Sequence, residues 1–290
     1  MRCISRNINT SEKQERSMKV IIQNLHKEQH LASDLATKYD PDIMLLQEIN
    51  LYSEDVAITD HDCSYPYDCA HNTSKFGYGT AIYAKKKTST SSNSSDTTTN
   101  GAADAAAATT VNTGETRESR TLSNIRFVDS PHAETGGFIY KKTVIATHNY
   151  STSTAKNDGG EETRNQIEII SFHGYNGQPL RSVNKLVDHV KAVLKEVRVN
   201  NNKQQSTTIP AIFGGDFNTW TRKHINAVSD VLRDAGFTLL YSWPYPNRRA
   251  PLDHLFVRGD IITDNVNKSD ITVFSNASDH NGIVFEIQNI

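Results

Sequence analysis

The chain has 290 residues, of which 36% are hydrophobic and 22% charged, and its formal net charge at pH 7 is −2. This composition is typical of a globular protein and argues against a surface coated with nucleic-acid-binding cations, although a local basic patch remains compatible with it. No run of 18 apolar residues occurs, so we expect no membrane-spanning helix.

The N-terminus and the cysteines indicate a reducing compartment. Residues 1–17 are polar and aperiodic, which predicts a flexible tail, and they lack the apolar core of a signal peptide. Three cysteines are too few for a disulfide framework, so free thiols are favoured over a Cys63–Cys69 pair. We expect a cytoplasmic protein, with the nucleus as the alternative compartment.

The first part of the chain carries strand and helix patterns. An apolar run at 19–22 predicts a strand ending at Asn24, and apolar residues at helical spacing predict a helix from about 28 to 39. Asp40-Pro41 ends that helix, because the residue before proline avoids the α conformation. Two further strand patterns follow, at 43–46 and 77–84.

A low-complexity segment then interrupts the pattern. Residues 88–113 are almost wholly Ser, Thr, Asn, Ala, Asp and Gly. Such a segment cannot bury enough apolar surface to offset the entropy cost of ordering, so a disordered insert is predicted at about 86–120. The remainder of 18–290 is predicted to form one domain.

The second part is dominated by strand patterns. Apolar residues between Val183 and Val197 recur at i, i+3, i+4 and i+7 and predict an amphipathic helix, and another helix is predicted from about Ile225 to Asp234. Strands are predicted at 125–128, 143–146, 167–172, 209–213, 239–241, 255–257, 271–274 and 283–287. Many strands with few helices indicate a layered α/β (α+β) domain.

Short polar motifs stand at the ends of these apolar runs. They are Gln47-Glu48, Gly214-Gly215-Asp216-Phe217-Asn218, Leu252-Asp253-His254 and Ser278-Asp279-His280-Asn281. Carboxylates, carboxamides and a histidine at strand ends predict one polar pocket, and hard oxygen ligands suit Mg²⁺ rather than zinc.

Together with Asn24 and His173, this ordered set resembles the endonuclease/exonuclease/phosphatase family, which has the DNase I-like fold. The resemblance covers most of residues 18–290 apart from the insert. It implies a four-layer α/β/β/α sandwich, in which two packed, mainly antiparallel sheets lie between outer helices. It also implies hydrolysis of phosphoesters with Mg²⁺, or with Mn²⁺ in its place.

The resemblance also implies roles for residues at a metal. Glu48 matches the family's metal-binding glutamate, and Asp279 matches a second carboxylate close to the ion. Asn24 matches an asparagine that places the metal or Glu48, since a neutral amide orients a ligand without adding negative charge. A plain turn after the strand is the alternative for Asn24.

The catalytic roles follow in the same way. Asp216 matches the residue that orients or deprotonates the attacking water, and Asn218 matches a donor to a phosphate oxygen. Alternation along an extended chain predicts that these two share a face, with an Asx turn as the alternative. His280 matches the essential histidine, and Asp253 matches the carboxylate that orients and charges it. His254 is expected on the other face, in a structural role.

Two histidines at strand ends compete for contact with phosphate. His173 follows a strand and precedes the helix leading to Asp216, as in the family, so it is chosen over His148. Asn176 matches a position for a phosphate-side polar group.

The substrate is less well determined than the site. Arg248, Arg249 and Trp220 suit contact with a polyanion and stacking on bases, as do Trp243 and Tyr245, with ordinary loop residues as an equal alternative. The hypothesis is a monomeric Mg²⁺-dependent phosphodiesterase of nuclease type with nucleic acid as its partner. An enzyme acting on inositol phosphates or lipid head groups is the alternative, and an inactive binding protein is disfavoured because the motif residues are all present.

Overall fold

The computed structural model describes residues 17–28, 30–50, 67–74, 78–86, 121–134, 139–152, 163–176, 183–197, 209–246, 250–259, 262 and 264–288. The predicted tail up to residue 16 and the predicted insert after Lys86 lie outside them. The strands are β1 (Met18–Asn24), β2 (Ile43–Asn50), β3 (Tyr67–Thr73), β4 (Tyr78–Lys85), β5 (Leu122–Asp129), β6 (Lys142–Thr152), β7 (Thr163–His173), β8 (Ala211–Asp216), β9 (Thr238–Trp243), β10 (Asp253–Arg258), β11 (Thr272–Phe274) and β12 (Gly282–Ile287). The helices are α1 (His30–Tyr39), α2 (Val183–Glu196) and α3 (Arg222–Asp234), with a 3-10 turn at Lys268–Asp270.

The described strands form two six-stranded sheets, ordered β11-β12-β1-β2-β4-β3 (sheet A) and β5-β6-β7-β8-β10-β9 (sheet B). The central pairs β1–β2 and β7–β8 are parallel, and the other recorded pairs are antiparallel. A parallel pair needs a crossover connection, and α1 and α2 supply the two crossovers.

Three apolar layers hold the sheets and helices together. Between the sheets, Ile22 of β1 and Ile212 of β8 belong to one buried cluster. On the outer face of sheet A, Ile21 packs with Leu31 of α1, and on the outer face of sheet B, Phe213 packs with residues of α2 and α3. Neighbouring residues of one strand therefore serve different layers, and the predicted four-layer α/β/β/α sandwich is confirmed.

Strand β3 is not predicted by the sequence pattern, because Tyr67–Thr73 is mostly polar. It lies at the edge of sheet A, where it pairs with β4 and leaves most of its side chains partly exposed.

The described helices are short. α3 begins three residues before its predicted start, because Thr221 caps it and accepts a hydrogen bond from the amide of His224. The longest described helix, α2, has 14 residues, and none of the described helices is long and apolar enough to cross a bilayer.

Candidate active site

The predicted strand-end residues meet at one edge of the sandwich. Asn24 ends β1 in sheet A, where it pairs with Gln47 of β2. In sheet B, Asp216 of β8 pairs with both His173 of β7 and Asp253 of β10. His280 joins them from the segment before β12, and all these side chains are buried.

Asp216 lies at the centre of the contacts. Its Oδ2 accepts a hydrogen bond from Asn24 Nδ2 at 3.2 Å and lies 3.5 Å from His173 Nε2 and 3.9 Å from His280 Nε2. Its Oδ1 accepts from the backbone amide of Asn218 at 2.8 Å. Burial raises the pKa of Asp216 to about 7, although the charge of His280 opposes the rise.

Asn218 does not continue an extended chain. Strand β8 ends at Asp216, and Asn218 has a φ of +53°, so its amide closes an Asx turn on Asp216. Its Nδ2 donates to the carbonyl of Gly174 at 3.0 Å. The prediction that strand alternation places residues 216 and 218 on one face is therefore wrong, and the Asx turn is part of the site.

His280 and Asp253 form a buried pair. His280 Nδ1 hydrogen-bonds Asp253 Oδ2 at 2.9 Å, and the ring of Tyr245 packs edge-on against the imidazole, with centroids 4.6 Å apart. The other ring nitrogen, Nε2, lies 3.9 Å from Asp216 Oδ2 and 4.0 Å from Asp279 Oδ1. Burial by itself lowers the pKa of His280, but the three carboxylates, Asp253 foremost, raise it to about 10.

Glu48 projects from a bulge in β2. The strand does not end before Glu48 as expected, and its pairing with β4 shifts between Gln47 and Ile49. Glu48 has a φ of +51°, which is uncommon outside glycine, and bulges of this kind re-aim a side chain. Its carboxylate lies 3.5 Å from His173 Nε2 and 3.8 Å from His26 Nδ1.

His26 is absent from the residues predicted from sequence, yet it lies between two predicted metal ligands. Its Nδ1 is 3.1 Å from Asp279 Oδ1 as well as 3.8 Å from Glu48 Oε2. Its amide donates to Asn24 Oδ1 at 2.9 Å, so Asn24 combines its predicted turn with the contact to Asp216. The available sequence signal was the position of His26, two residues after a strand-end asparagine.

The residues present fit a divalent cation. Carboxylate oxygens of Glu48 and Asp279 both lie near Nδ1 of His26. A cation bound between these two carboxylates could therefore be held by both. These hard oxygen donors suit Mg²⁺. A second set of ligand atoms, all within 4.8 Å of one another, comes from Glu48, His173 and Asp216.

Lys141, also absent from the predicted set, reaches into the site from the residue before β6. Its Nζ lies 2.7 Å from His173 Nε2, 3.6 Å from Glu134 Oε1 and 3.9 Å from Glu48 Oε1. Burial lowers the pKa of His173 well below its usual value, and the charge of Lys141 adds to this, so the imidazole is neutral and accepts from the ammonium. No strand-end pattern marks Lys141, because it stands before an apolar run.

The predicted substrate residues are only partly described. Trp220 Nε1 donates to Asn176 Oδ1 at 3.1 Å, and the amide of Asn176 donates to Glu134 Oε1 at 3.0 Å. These two therefore lie on the Lys141 side of the site. Arg248 and Arg249 lie outside the described residues.

The two remaining aromatic candidates differ. Trp243 is completely buried and donates to a backbone carbonyl, so the prediction that it stacks on a base is wrong. Tyr245 lies in the site, and its hydroxyl donates to Asp279 Oδ2 at 2.9 Å.

The structure also separates the histidines. His148 pairs with Ile167, six residues before His173, which places it roughly 20 Å away along the strand. Of His148 and His173, it is therefore His173 that lies at the site. His254 is buried between two hydroxyl groups, in agreement with a structural role.

A two-sheet α/β sandwich with an acid–histidine pair and clustered carboxylates at its strand ends defines a domain of the DNase I-like class. The chain belongs to the endonuclease/exonuclease/phosphatase family, whose sequence model matches residues 22–280. That interval contains every residue discussed above as catalytic or metal-binding.

Solved structures with similar folds have little sequence in common with the chain. TDP2 from Caenorhabditis elegans superposes with a TM-score of 0.56 at 15% identity, over 93% of this chain and 74% of that one. The AP endonuclease LMAP from Leishmania major gives 0.55 at 14% identity, over 94% and 88%. The 3′ phosphatase NExo from Neisseria gives 0.50 at 16% identity, over 93% and 99%.

Curated relatives match only part of the chain. A UPF0294 protein of Yersinia pseudotuberculosis is 38% identical over 82 residues, which are 27% of this chain and 30% of that protein. A UPF0294 protein of Vibrio vulnificus is 38% identical over 79 residues, or 26% of each. The chain thus spans less than a third of the length of these relatives.

Proposed function

We propose that this protein is a Mg²⁺-dependent phosphodiesterase of nuclease type. The observation that carries the proposal is the arrangement around Asp216. Its Oδ2 lies within 4 Å of ring nitrogens of both His173 and His280, while Asp253 holds the other nitrogen of His280. A buried carboxylate between two imidazoles suits a point where water meets a phosphate.

The roles follow from these contacts. Asp216 orients and activates the attacking water, and its position is set by Asn24 and by the amide of Asn218. His173 borders the phosphate. His280 stabilises the charge that develops as the phosphoester bond breaks, and Asp253 orients its ring.

Glu48 and Asp279 would hold the cation, with Asn24 behind them. When bound, Mg²⁺ polarises the phosphate and offsets its negative charge. The chain's own residues position the water, the phosphate and the protons.

The nuclease assignment draws support from similar structures. TDP2 from D. rerio was solved with a single-strand DNA product, and Neisseria NExo with a product DNA hairpin. DNA is therefore the first substrate to test. At 15–16% identity the likeness shows only the fold, so the substrate has to be established by assay. Phosphoinositides and sphingomyelin are the alternatives.

We also propose that 18–290 form one domain. Sheet A combines strands from before and after the predicted insert, and the family match runs across it.

A substrate panel tests the function. We expect plasmid DNA, RNA or a model diester to be hydrolysed with Mg²⁺ and no substrate to be hydrolysed in excess chelator. Asp216→Asn and His280→Ala should each lower kcat by orders of magnitude in protein that circular dichroism shows to be folded at the assay temperature. Activity retained in chelator, or near-wild-type activity of both variants, contradicts the proposal, and preference for a lipid or inositol phosphate selects the alternative.

A further inference from the structure

A cavity of about 370 Å³ adjoins the candidate active site, within the range for small-ligand pockets. Glu48, His173 and Lys141 line it, so it opens directly from the catalytic cluster. We call it the side pocket. The other residues that line it are Lys27, Ser74, Tyr78, Gly79, Glu134, Ile139, Tyr140 and Lys142.

Part of the wall of the side pocket is formed by exposed apolar and aromatic side chains. Tyr78, Ile139 and Tyr140 are 39%, 47% and 42% exposed. They are three of the five large hydrophobic residues that are exposed in the described part of the chain. Exposed apolar side chains gathered at one place mark a binding site more often than scattered ones do.

Three lysines also line the side pocket, and one of them lies over an aromatic ring. Lys27 Nζ lies 4.9 Å from the ring centroid of Tyr78, and Lys27 has no salt bridge to another described residue. Lys141 lies where the side pocket meets the site, and Lys142 is paired with Asp129 at 2.6 Å. Aromatic side chains with lysines close by suit a planar ring attached to an anionic backbone.

We propose that the side pocket binds the nucleobase next to the scissile phosphate. This proposal rests on the proposed function. It adds that the substrate nucleotide has an unstacked base, because a base that is stacked inside a duplex cannot enter a pocket. An acyl chain would meet lysines at the entrance. The phosphates of an inositol phosphate could meet the lysines, but its ring hydroxyl groups would lie against Tyr78, Ile139 and Tyr140.

Binding of a single diester tests the proposal. The ligands are thymidylyl-(3′→5′)-thymidine and its two analogues, each of which lacks one base. Each ligand is titrated into the full chain in the presence of Mg²⁺, and binding is followed by calorimetry. The chain carries His280→Ala to prevent turnover. One analogue should bind about tenfold more weakly than the parent, as expected for loss of one stacked base. Asp253→Asn replaces His280→Ala as the background if that variant unfolds.

Second substitutions locate the effect. Tyr140→Ala should remove the tenfold difference, and Tyr140→Phe should retain it. Phe127→Ala is the matched control, because Phe127 is 55% exposed but does not line the side pocket. Equal binding of all three ligands, no detectable binding, equal weakening of all three by Tyr140→Ala, or tighter binding of inositol trisphosphate overturns the proposal.

Turnover by the wild-type protein separates the two claims. Base-dependent binding without cleavage of any diester rejects the proposed function and upholds the side pocket. Cleavage with no dependence on the base rejects the side pocket and upholds the function.

Discussion

Asn24 and Asp216 belong to different sheets, and the side-chain amide of Asn24 donates to Asp216 Oδ2 at 3.2 Å. A second bond between the sheets joins Gln47 Nε2 to Ser171 Oγ at 2.9 Å. The central carboxylate of the site is therefore held across the junction of the two sheets, and its position depends on how they pack.

Replacing Asn24 should impair activity through this contact. Asn24→Ala removes a donor to Asp216 and should lower kcat/KM at least about tenfold, the loss expected for a hydrogen bond to a charged group. Asn24→Asp should be worse, because it sets a second carboxylate against Asp216. Steady-state kinetics measure both, and Asn149→Ala, which loses a bond to Ser123, is the control. A change of less than twofold in Asn24→Ala would contradict the role.

The charge of Asp253 should matter more than its shape. Asp253→Asn keeps a similar side chain beside His280 but removes the negative charge, so kcat should fall by about 10²- to 10⁴-fold. The exposed Asp230, which pairs with Arg233, provides a control variant, Asp230→Asn, with unchanged kcat. Equal kcat values for the two variants would rule out a catalytic role for the charge of Asp253.

The two sets of metal ligands can be distinguished. Glu48→Gln and Asp279→Asn should each raise the Mg²⁺ concentration for half-maximal activity at least about tenfold, since each removes one of few carboxylate ligands. His173→Gln should change it less, because His173 Nε2 already accepts from Lys141. Mn²⁺ binding followed by electron paramagnetic resonance gives a readout independent of turnover. A larger effect of His173→Gln would favour the set of Glu48, His173 and Asp216.

His254 should make the fold sensitive to acid. Burial lowers its pKa to about 3, and its ring nitrogens contact Thr219 Oγ1 and Ser242 Oγ at 2.5 and 2.7 Å. The unfolded chain, with a histidine pKa of about 6.5, binds more protons as pH falls from about 6.5 to 3, so stability is lost in that window. The contribution of His254 to the loss at pH 5 relative to pH 8 should be about 2 kcal/mol, to which the other buried histidines with a lowered pKa, His173 and His189, add.

Urea denaturation at pH 8 and pH 5 measures this loss. His254→Gln should show a smaller difference between the two pH values than the wild type, whereas the exposed His30→Gln should not. Identical pH dependence in the wild type and His254→Gln would refute the assignment.

Gly215 should tolerate no side chain. It has a φ of +139°, and a Cβ there would lie 2.2 Å from the carbonyl oxygen of Phe172, so Gly215→Ala should lower the free energy of unfolding by at least about 3 kcal/mol. Gly236 is the matched control. It has a φ of +82°, but the nearest atom would be 3.6 Å from its Cβ, so Gly236→Ala should cost only about 1–2 kcal/mol. Equal losses in urea denaturation would show that the clash is relieved.

Much of the architecture follows from local sequence. The apolar run at 209–213 predicts a strand, and β8 lies at the centre of sheet B with all its residues buried. The mostly polar β3 carries no such signal. The polar motifs at the strand ends predict Asp253 and His280 as site residues, and these two side chains form a hydrogen bond.

The sequence by itself determined most of the elements, because burial imposes a period on each strand and helix. Its polar motifs, through their resemblance to the family, implied the four-layer class and the main polar residues. Only the tertiary structure decided the re-aiming of Glu48 by a bulge, the burial of Trp243 and the places of His26 and Lys141. These depend on contacts between distant parts of the chain, such as Asn24 with Asp216, 192 positions apart. A local pattern carries no information about which residues two packed sheets will bring together.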